Sequence, residues 1–147
     1  MAALPVNDPK AIEQAITGTG PVAVVGLTNN PSHNSYRVAK YLIDYGFDVI
    51  PVNSTVTSVL GRRSFPTVTA IPGKIRVVDL FCGPDEVAAI VDQAVAKGAS
   101  VIWMELGIGT DEAAIKALGA GLNVVMDRSM KVEHQRRALA IARGQRR

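Results

Sequence analysis

The chain is poor in cysteine: Cys82 is the only one among 147 residues. A single thiol excludes an intramolecular disulfide and a zinc cage made of cysteines alone. A lone cysteine between apolar stretches fits a reducing compartment. Long apolar runs are missing as well. No stretch approaches the roughly 18 residues a membrane-spanning helix needs, so no membrane partner is expected. The opening Met1-Ala-Ala-Leu-Pro-Val-Asn-Asp8 lacks the basic start and hydrophobic centre of a signal peptide, and the cytoplasm is the expected location. Cys82, His33 and His134 show no metal-ligand spacing. Nor is there a strong excess of one charge: 16 Lys and Arg stand against 13 Asp and Glu. The imbalance is local. Between Arg128 and Arg147 only Glu133 is acidic, while Arg128, Lys131, Arg136, Arg137, Arg143, Arg146 and Arg147 are basic. Such a tail is either a solvated final helix or a contact for an anionic ligand; nucleic acid is the less favoured partner.

What is present is a high apolar fraction, 48%, with 20% charged residues. That composition excludes a disordered chain. One domain over residues 1–147 is expected, with its core at about residues 20–130 and a helix at either end. A homo-oligomer is compatible with such a chain.

Five apolar segments read as strands: Val22–Leu27, Asp48–Asn53, Arg76–Phe81, Ser100–Glu105 and Leu122–Asp127. They are rich in Val and Ile and nearly continuous rather than alternating, as strands covered on both faces are. Pro51 lies inside the second, which suits an edge or a strand end. Helical periodicity fills most gaps, over Ser35–Tyr45, Pro84–Lys97 and Thr110–Leu118, with Gly46, Gly98 and Gly119 as stops. Further helices are expected at about Pro9–Ile16 and Lys131–Ala142. Val56–Leu60 reads as one helical turn in an otherwise irregular connection. Alternating strands and helices give a doubly wound, Rossmann-like α/β fold: about five parallel strands in a three-layer α/β/α sandwich. Ligands in such sheets lie outside the carboxyl ends of the strands, near the switch point.

The first strand runs into Gly26-Leu-Thr-Asn-Asn-Pro-Ser-His-Asn-Ser35. Gly26 allows a turn and close approach of a ligand. Asn34 or Ser35 is a candidate helix cap. Free amides at the helix start, with Arg37 nearby, form an anion site. An ordinary capped turn is the alternative. A dinucleotide fingerprint needs Gly-x-Gly-x-x-Gly and an acid after the second strand; only Gly26 is present, followed later by Pro51-Val52-Asn53. A nucleotide triphosphatase loop is absent too. Phe81-Cys82-Gly83-Pro84 and Leu106-Gly107-Ile108-Gly109 end the third and fourth strands, as crevice edges or as plain tight turns.

These residues resemble the stand-alone CoA-binding domain proteins, relatives of the nucleotide-binding domain of succinyl-CoA synthetase α-subunits. The likeness runs from about Val22 to His134. It is carried by Val-Val-Gly-Leu-Thr (24 to 28) with Ser32, Ser35 and Tyr36, by Ile-Pro-Val-Asn (50 to 53), Leu60-Gly61 and Val-Asp-Leu-Phe (78 to 81). It continues through Ile-Trp-Met-Glu-Leu-Gly-Ile (102 to 108), Ala120-Gly121-Leu122, Asp127-Arg128 and Val132-Glu133-His134. The resemblance implies a Rossmann-like fold that binds coenzyme A or an acyl-CoA, in a regulatory or carrier role with no catalytic residue. The implied ligand residues are Gly26, Leu27, Thr28, Ser32, Asn34, Ser35, Tyr36 and Arg37 around the diphosphate, and Pro51, Val52 and Asn53 beside the adenosine. Phe81, Cys82, Leu106, Gly107 and Ile108 edge the crevice. The sequence departs from the family in having Cys82 where Arg is frequent, Glu105 where Gln is frequent and Ser129 where Cys is usual. A carboxylate at 105 would repel a phosphate at close range unless it points elsewhere. The second half of the synthetase, with its phosphorylated histidine, has no counterpart in this length, so ligase activity does not follow.

Two rival functions remain. Cys82, at a helix start whose dipole would lower its pKa, makes a thiol-redox or CoA-dependent transferase conceivable; a small, partly buried Cys is the plainer reading. A nucleic-acid-associated protein acting through the basic tail is the other. His33 is a ligand contact or a solvent-facing loop residue. His134 is expected to be exposed or capping, Asp127-Arg128 to form an ion pair or cap, and Trp103, Tyr41 and Tyr45 to serve the core or a helix face.

Overall fold

A computed structural model describes residues 4–144. The five expected strands form one parallel sheet: β1 (Val22–Val25), β2 (Val49–Val52), β5 (Val77–Leu80), β6 (Val101–Met104) and β7 (Asn123–Met126), in the order β2-β1-β5-β6-β7. Twelve of the 16 residues in β1, β5, β6 and β7 are Val, Ile, Leu or Met, and every residue of β1, β5 and β6 is buried. Burial on both faces is why the pattern is continuous rather than alternating. Ala23 and Val25 point to the layer of α3 (Val87–Ala96) and α4 (Asp111–Gly119). Val22 and Val24 point to the layer of α1 (Pro9–Thr17), α2 (Asn34–Asp44) and α5 (Met130–Ala142). The result is the three-layer, Rossmann-like α/β arrangement expected. Leu42 and Trp103 are wholly buried in the second layer; a side chain of Leu size contributes about 2 kcal/mol by leaving water. Among the described residues no helix is long and apolar enough to cross a membrane.

Both sheet edges are covered. On β2, Pro51 pairs in register with Val24, but its carbonyl accepts from the Phe65 amide at 3.0 Å on the outer side. In a parallel strand a residue's N–H and C=O point the same way, so the donor that proline lacks is not one the β1 ladder requires. On β7, Asn7 stands in for a sixth strand. Its amide donates to the Val124 carbonyl at 2.9 Å, and its side chain bonds the Met126 carbonyl at 3.1 Å and amide at 2.8 Å.

Val56–Leu60 does not form the helical turn expected. The segment enters a two-stranded antiparallel hairpin, β3 (Ser58–Val59) with β4 (Arg62–Arg63). Leu60 at φ 52° and Gly61 at φ 73° are its two turn residues. Positive φ at both positions is the type I′ geometry that matches strand twist, and it overrides the helical preference of leucine. The hairpin delivers Phe65 to the outer edge of β2.

Candidate functional site

At the carboxyl edge of the sheet the chain leaves β1 toward β2 on one side and reaches β5 on the other, so the switch point lies between β1 and β5. A crevice of about 380 Å³ opens there. It gathers Gly26, Val52, Asn53, Phe81 and Cys82 from the residues expected at the site. Its other walls were not evident from the sequence: Pro66, Thr67 and Val68 on the return from the hairpin, with Glu86, Ile90 and Gln93 at the start of the α3 layer. One signal was available. Val68, Ile71 and Ile75 are apolar residues in an irregular stretch, and all three are buried. Val68 is fastened from across the crevice by Gln93, whose Oε1 accepts from its amide at 2.9 Å.

Gly26 adopts φ 86°, and a Cβ there would lie 2.9 Å from the Phe81 carbonyl oxygen. The glycine is required by the neighbouring strand end, a reason distinct from ligand approach. Asn53 fixes the opposite wall. Its Nδ2 donates to the Leu27 carbonyl at 3.0 Å, while its Oδ1 accepts from the Thr55 amide at 2.9 Å and hydroxyl at 2.7 Å. Leu27 itself is buried in the α2-side core.

From the rim of the crevice, residues 28–35 lead into α2 through a chain of short bonds. Thr28 Oγ1 accepts from the Asn30 amide at 3.3 Å, and Asn30 Oδ1 accepts from the Ser32 amide at 3.0 Å and hydroxyl at 2.7 Å. Neither Asn34 nor Ser35 caps the helix. The cap is His33, whose Nδ1 accepts from the Ser35 amide at 3.1 Å and lies 2.7 Å from the Ser35 hydroxyl. Imidazole reaches the second helical amide as well as a serine would. Ser35 is wholly buried, and its hydroxyl accepts a long bond, 3.4 Å, from the Thr28 amide. With those amides occupied, the N–H groups of Asn34 and Tyr36 have no protein acceptor among the described residues. Tyr36 and Arg37 lie on the outer face of α2, where with Lys40, Tyr41 and Lys131 they border a shallow groove.

Three side chains depart from the family pattern, and each has a clear position. Cys82 is half-buried in the crevice. Burial and the carboxylates of Glu86 and Asp85 push its thiol up to about 11, against the lowering expected from a helix dipole. The helix start supplies little: it opens with a 3-10 turn, Pro84–Glu86, and Glu86 Oε2 already accepts from the Gly83 amide at 3.1 Å. Glu105 points inward. It is 2% exposed and its Oε2 accepts from the Met130 amide at 3.2 Å, so it opposes no ligand phosphate. Ser129 caps α5, accepting from the Val132 amide at 3.3 Å.

Leu106-Gly107-Ile108 form a tight turn, closed by the Ile108 amide donating to the Glu105 carbonyl at 3.1 Å. The Asp127 carboxylate, at φ 56°, accepts from the Gly107 amide at 3.2 Å, so it caps this turn rather than pairing with Arg128. His134 is neither free nor capping: its Nδ1 lies 2.7 Å from the Tyr41 hydroxyl, and the Tyr45 and Phe47 rings pack against it. Burial first, then Arg137, lower its pKa. In the basic tail Arg128 and Arg136 hold Glu133, and Arg137 reaches Glu13 at 3.6 Å; Arg146 and Arg147 lie outside the described residues.

Known proteins place this geometry. A hypothetical protein from Pyrococcus horikoshii superposes with a TM-score of 0.85 at 39% identity, over 92% of this chain and 98% of that one. The dinucleotide-forming acetyl-coenzyme A synthetase 1 of Ca. Korarchaeum cryptofilum, solved with phosphate and ADP, shares the fold. Its TM-score is 0.68 at 23% identity, with 77% of this chain matching 26% of that one. In Bacillus subtilis the uncharacterised protein YneT is 31% identical over 129 residues, 87% of this chain and 96% of its own length. The model of the CoA binding domain family matches residues 21–135, and the chain belongs to that family.

Proposed function

We propose that the protein binds coenzyme A or an acyl-CoA at the carboxyl edge of the sheet, as a non-catalytic carrier or regulatory module. The observation that carries this reading is the switch-point crevice, from whose Gly26 wall a short loop leads to the acceptor-free amides of Asn34 and Tyr36 at the start of α2. A helix N-terminus with open N–H groups favours a diphosphate, and the cation of Arg37 adds to the local potential. Glu86 lines the α3 side and would repel phosphate there, which favours the α2 side for the diphosphate. The crevice, with Val25, Val52, Val68 and Ile90 as apolar walls and amide groups from Asn53 and Gln93, suits an amide-bearing pantetheine arm. Leu106 to Ile108 would edge the same ligand from the β6 side.

A thiol raised to about 11 leaves about one part in 10⁴ as thiolate at neutral pH, and the His33 ring is engaged with Ser35. The non-catalytic reading is favoured on that ground. Thermal shift with CoA, dephospho-CoA, ADP and NAD tests it. Specific binding raises the apparent stability by RT ln(1 + L/Kd), with L the free ligand concentration. A shift with CoA larger than with NAD is expected; no shift with any of the four contradicts the proposal.

A further inference from the structure

The interior holds a pair of acids with no cation beside it. Asp79 lies in the middle of β5, fully buried, with Val24 and Trp103 as its register neighbours. Glu105 follows Trp103 by two residues and so shares its face of the sheet. The two acids therefore stand on adjacent strands, on one face of the sheet, each within reach of the other's charge. Neither oxygen of Asp79 has a hydrogen-bond partner, nor has Glu105 Oε1. Glu105 Oε2 accepts from the amide of Met130, the first residue of α5.

A carboxylate has no hydrogen to donate, so these unpartnered oxygens can satisfy one another only when one of the two carboxyl groups is protonated. Among the described residues neither acid takes part in an ion pair. β1 sets Val24 and β6 sets Trp103 beside Asp79, the side chains packed on that face of the sheet form an apolar cluster, and α5 offers Glu105 a backbone amide. Two anions so placed would repel at close range in a medium that screens them poorly.

We infer that Asp79 and Glu105 share a single proton, and that this proton latches the first turn of α5 to the carboxyl edge of the sheet. Glu105 is the joint. Its carboxyl holds the Met130 amide, and its carbonyl accepts from Ile108 in the turn that follows β6. When the proton is lost to solvent, Glu105 moves away from Asp79 and releases Met130. The start of α5 and the Leu106–Ile108 turn then shift together. Burial, and for Asp79 the neighbouring Glu105, raise both acids, so release comes at higher pH than for ordinary carboxyl groups. The inference is independent of the ligand reading, since it concerns the unliganded chain.

Carboxyl carbon NMR of the full chain tests the proton directly. At neutral pH one of the two carboxyl carbons is expected at a protonated shift. Two ionised carboxylates there overturn the inference. The latch is tested by raising the pH until the NMR signal reports loss of that proton. Trp103 is the only tryptophan, and its indole N–H donates to the Arg128 carbonyl at 2.9 Å, two residues before Met130. Its emission is expected to change at that pH in the native chain, before the far-ultraviolet dichroism does, and not in Glu105→Gln. In that variant an amide N–H replaces the proton. An unchanged emission, or the same change in both proteins, overturns the latch.

Discussion

The side-chain amide of Asn53 donates to the Leu27 carbonyl at 3.0 Å, so one hydrogen bond ties the end of β2 to the loop leaving β1. Under the proposed function a ligand at the switch point would pass between these two segments. Asn53→Ala removes that donor together with both bonds to Thr55. A loss of about 1–3 kcal/mol in urea unfolding is expected, with weaker CoA binding in the same variant. Asn53→Asp keeps the bonds to Thr55 and loses only the tie to Leu27. It is expected to fall between Asn53→Ala and the native chain; equality with native stability would remove the tie from the account.

Gly26→Ala places a methyl group 2.9 Å from the Phe81 carbonyl and forces an L-residue to φ 86°. The backbone penalty alone is about 1–2 kcal/mol, and the contact adds about 1–3 kcal/mol of overpacking. Thermal unfolding is expected at clearly lower temperature even without ligand. An unchanged Tm would mean that the β1 and β5 ends are farther apart than described.

Cys82 is expected to be a slow nucleophile. With the thiol raised to about 11, its alkylation rate by iodoacetamide rises about tenfold per pH unit beyond pH 9. A rate that levels off near pH 8 would indicate a normal thiol and return the transferase reading to contention. Glu86→Gln removes one of the carboxylates that raise it and is expected to speed alkylation at any pH below the plateau.

The Asp79–Glu105 pair makes stability depend on pH with a definite sign. Both acids titrate higher in the folded chain than their ordinary values. Above the ordinary carboxylate range the folded state therefore holds more protons than the unfolded one. The pair's contribution is fully present below about pH 4 and declines as pH rises through the folded values. Urea unfolding of Glu105→Gln is expected to show a flatter decline with rising pH than the native chain. Equal slopes would contradict the assignment.

Much of this architecture was legible in the residues. Continuous Val and Ile runs announced strands buried on both faces, and Gly46 and Gly98 marked where chains turn back, whereas α4 runs through Gly119 and the chain turns at Gly121. The capping residues were less so: Thr110 behaves as expected, whereas His33 replaces the usual oxygen ligand with a ring nitrogen. The hairpin at Leu60-Gly61 was hidden because leucine seldom takes a positive φ. One wall of the crevice came from that blind segment, since Pro66 to Val68 reach it only once the hairpin has turned the chain. Glu105 illustrates a further limit. The resemblance left open whether its carboxylate faces a ligand phosphate, and period-two alternation along β6 places it with Asp79 inside the sheet.

The central claim is that a CoA diphosphate sits on the open amides at the start of α2. Amide-resolved NMR during a CoA titration tests it most directly. The largest shifts are expected at Asn34 and Tyr36, with smaller ones at Gly26, Asn53 and Phe81. Shifts confined to other surfaces, or none at saturating CoA, would contradict it.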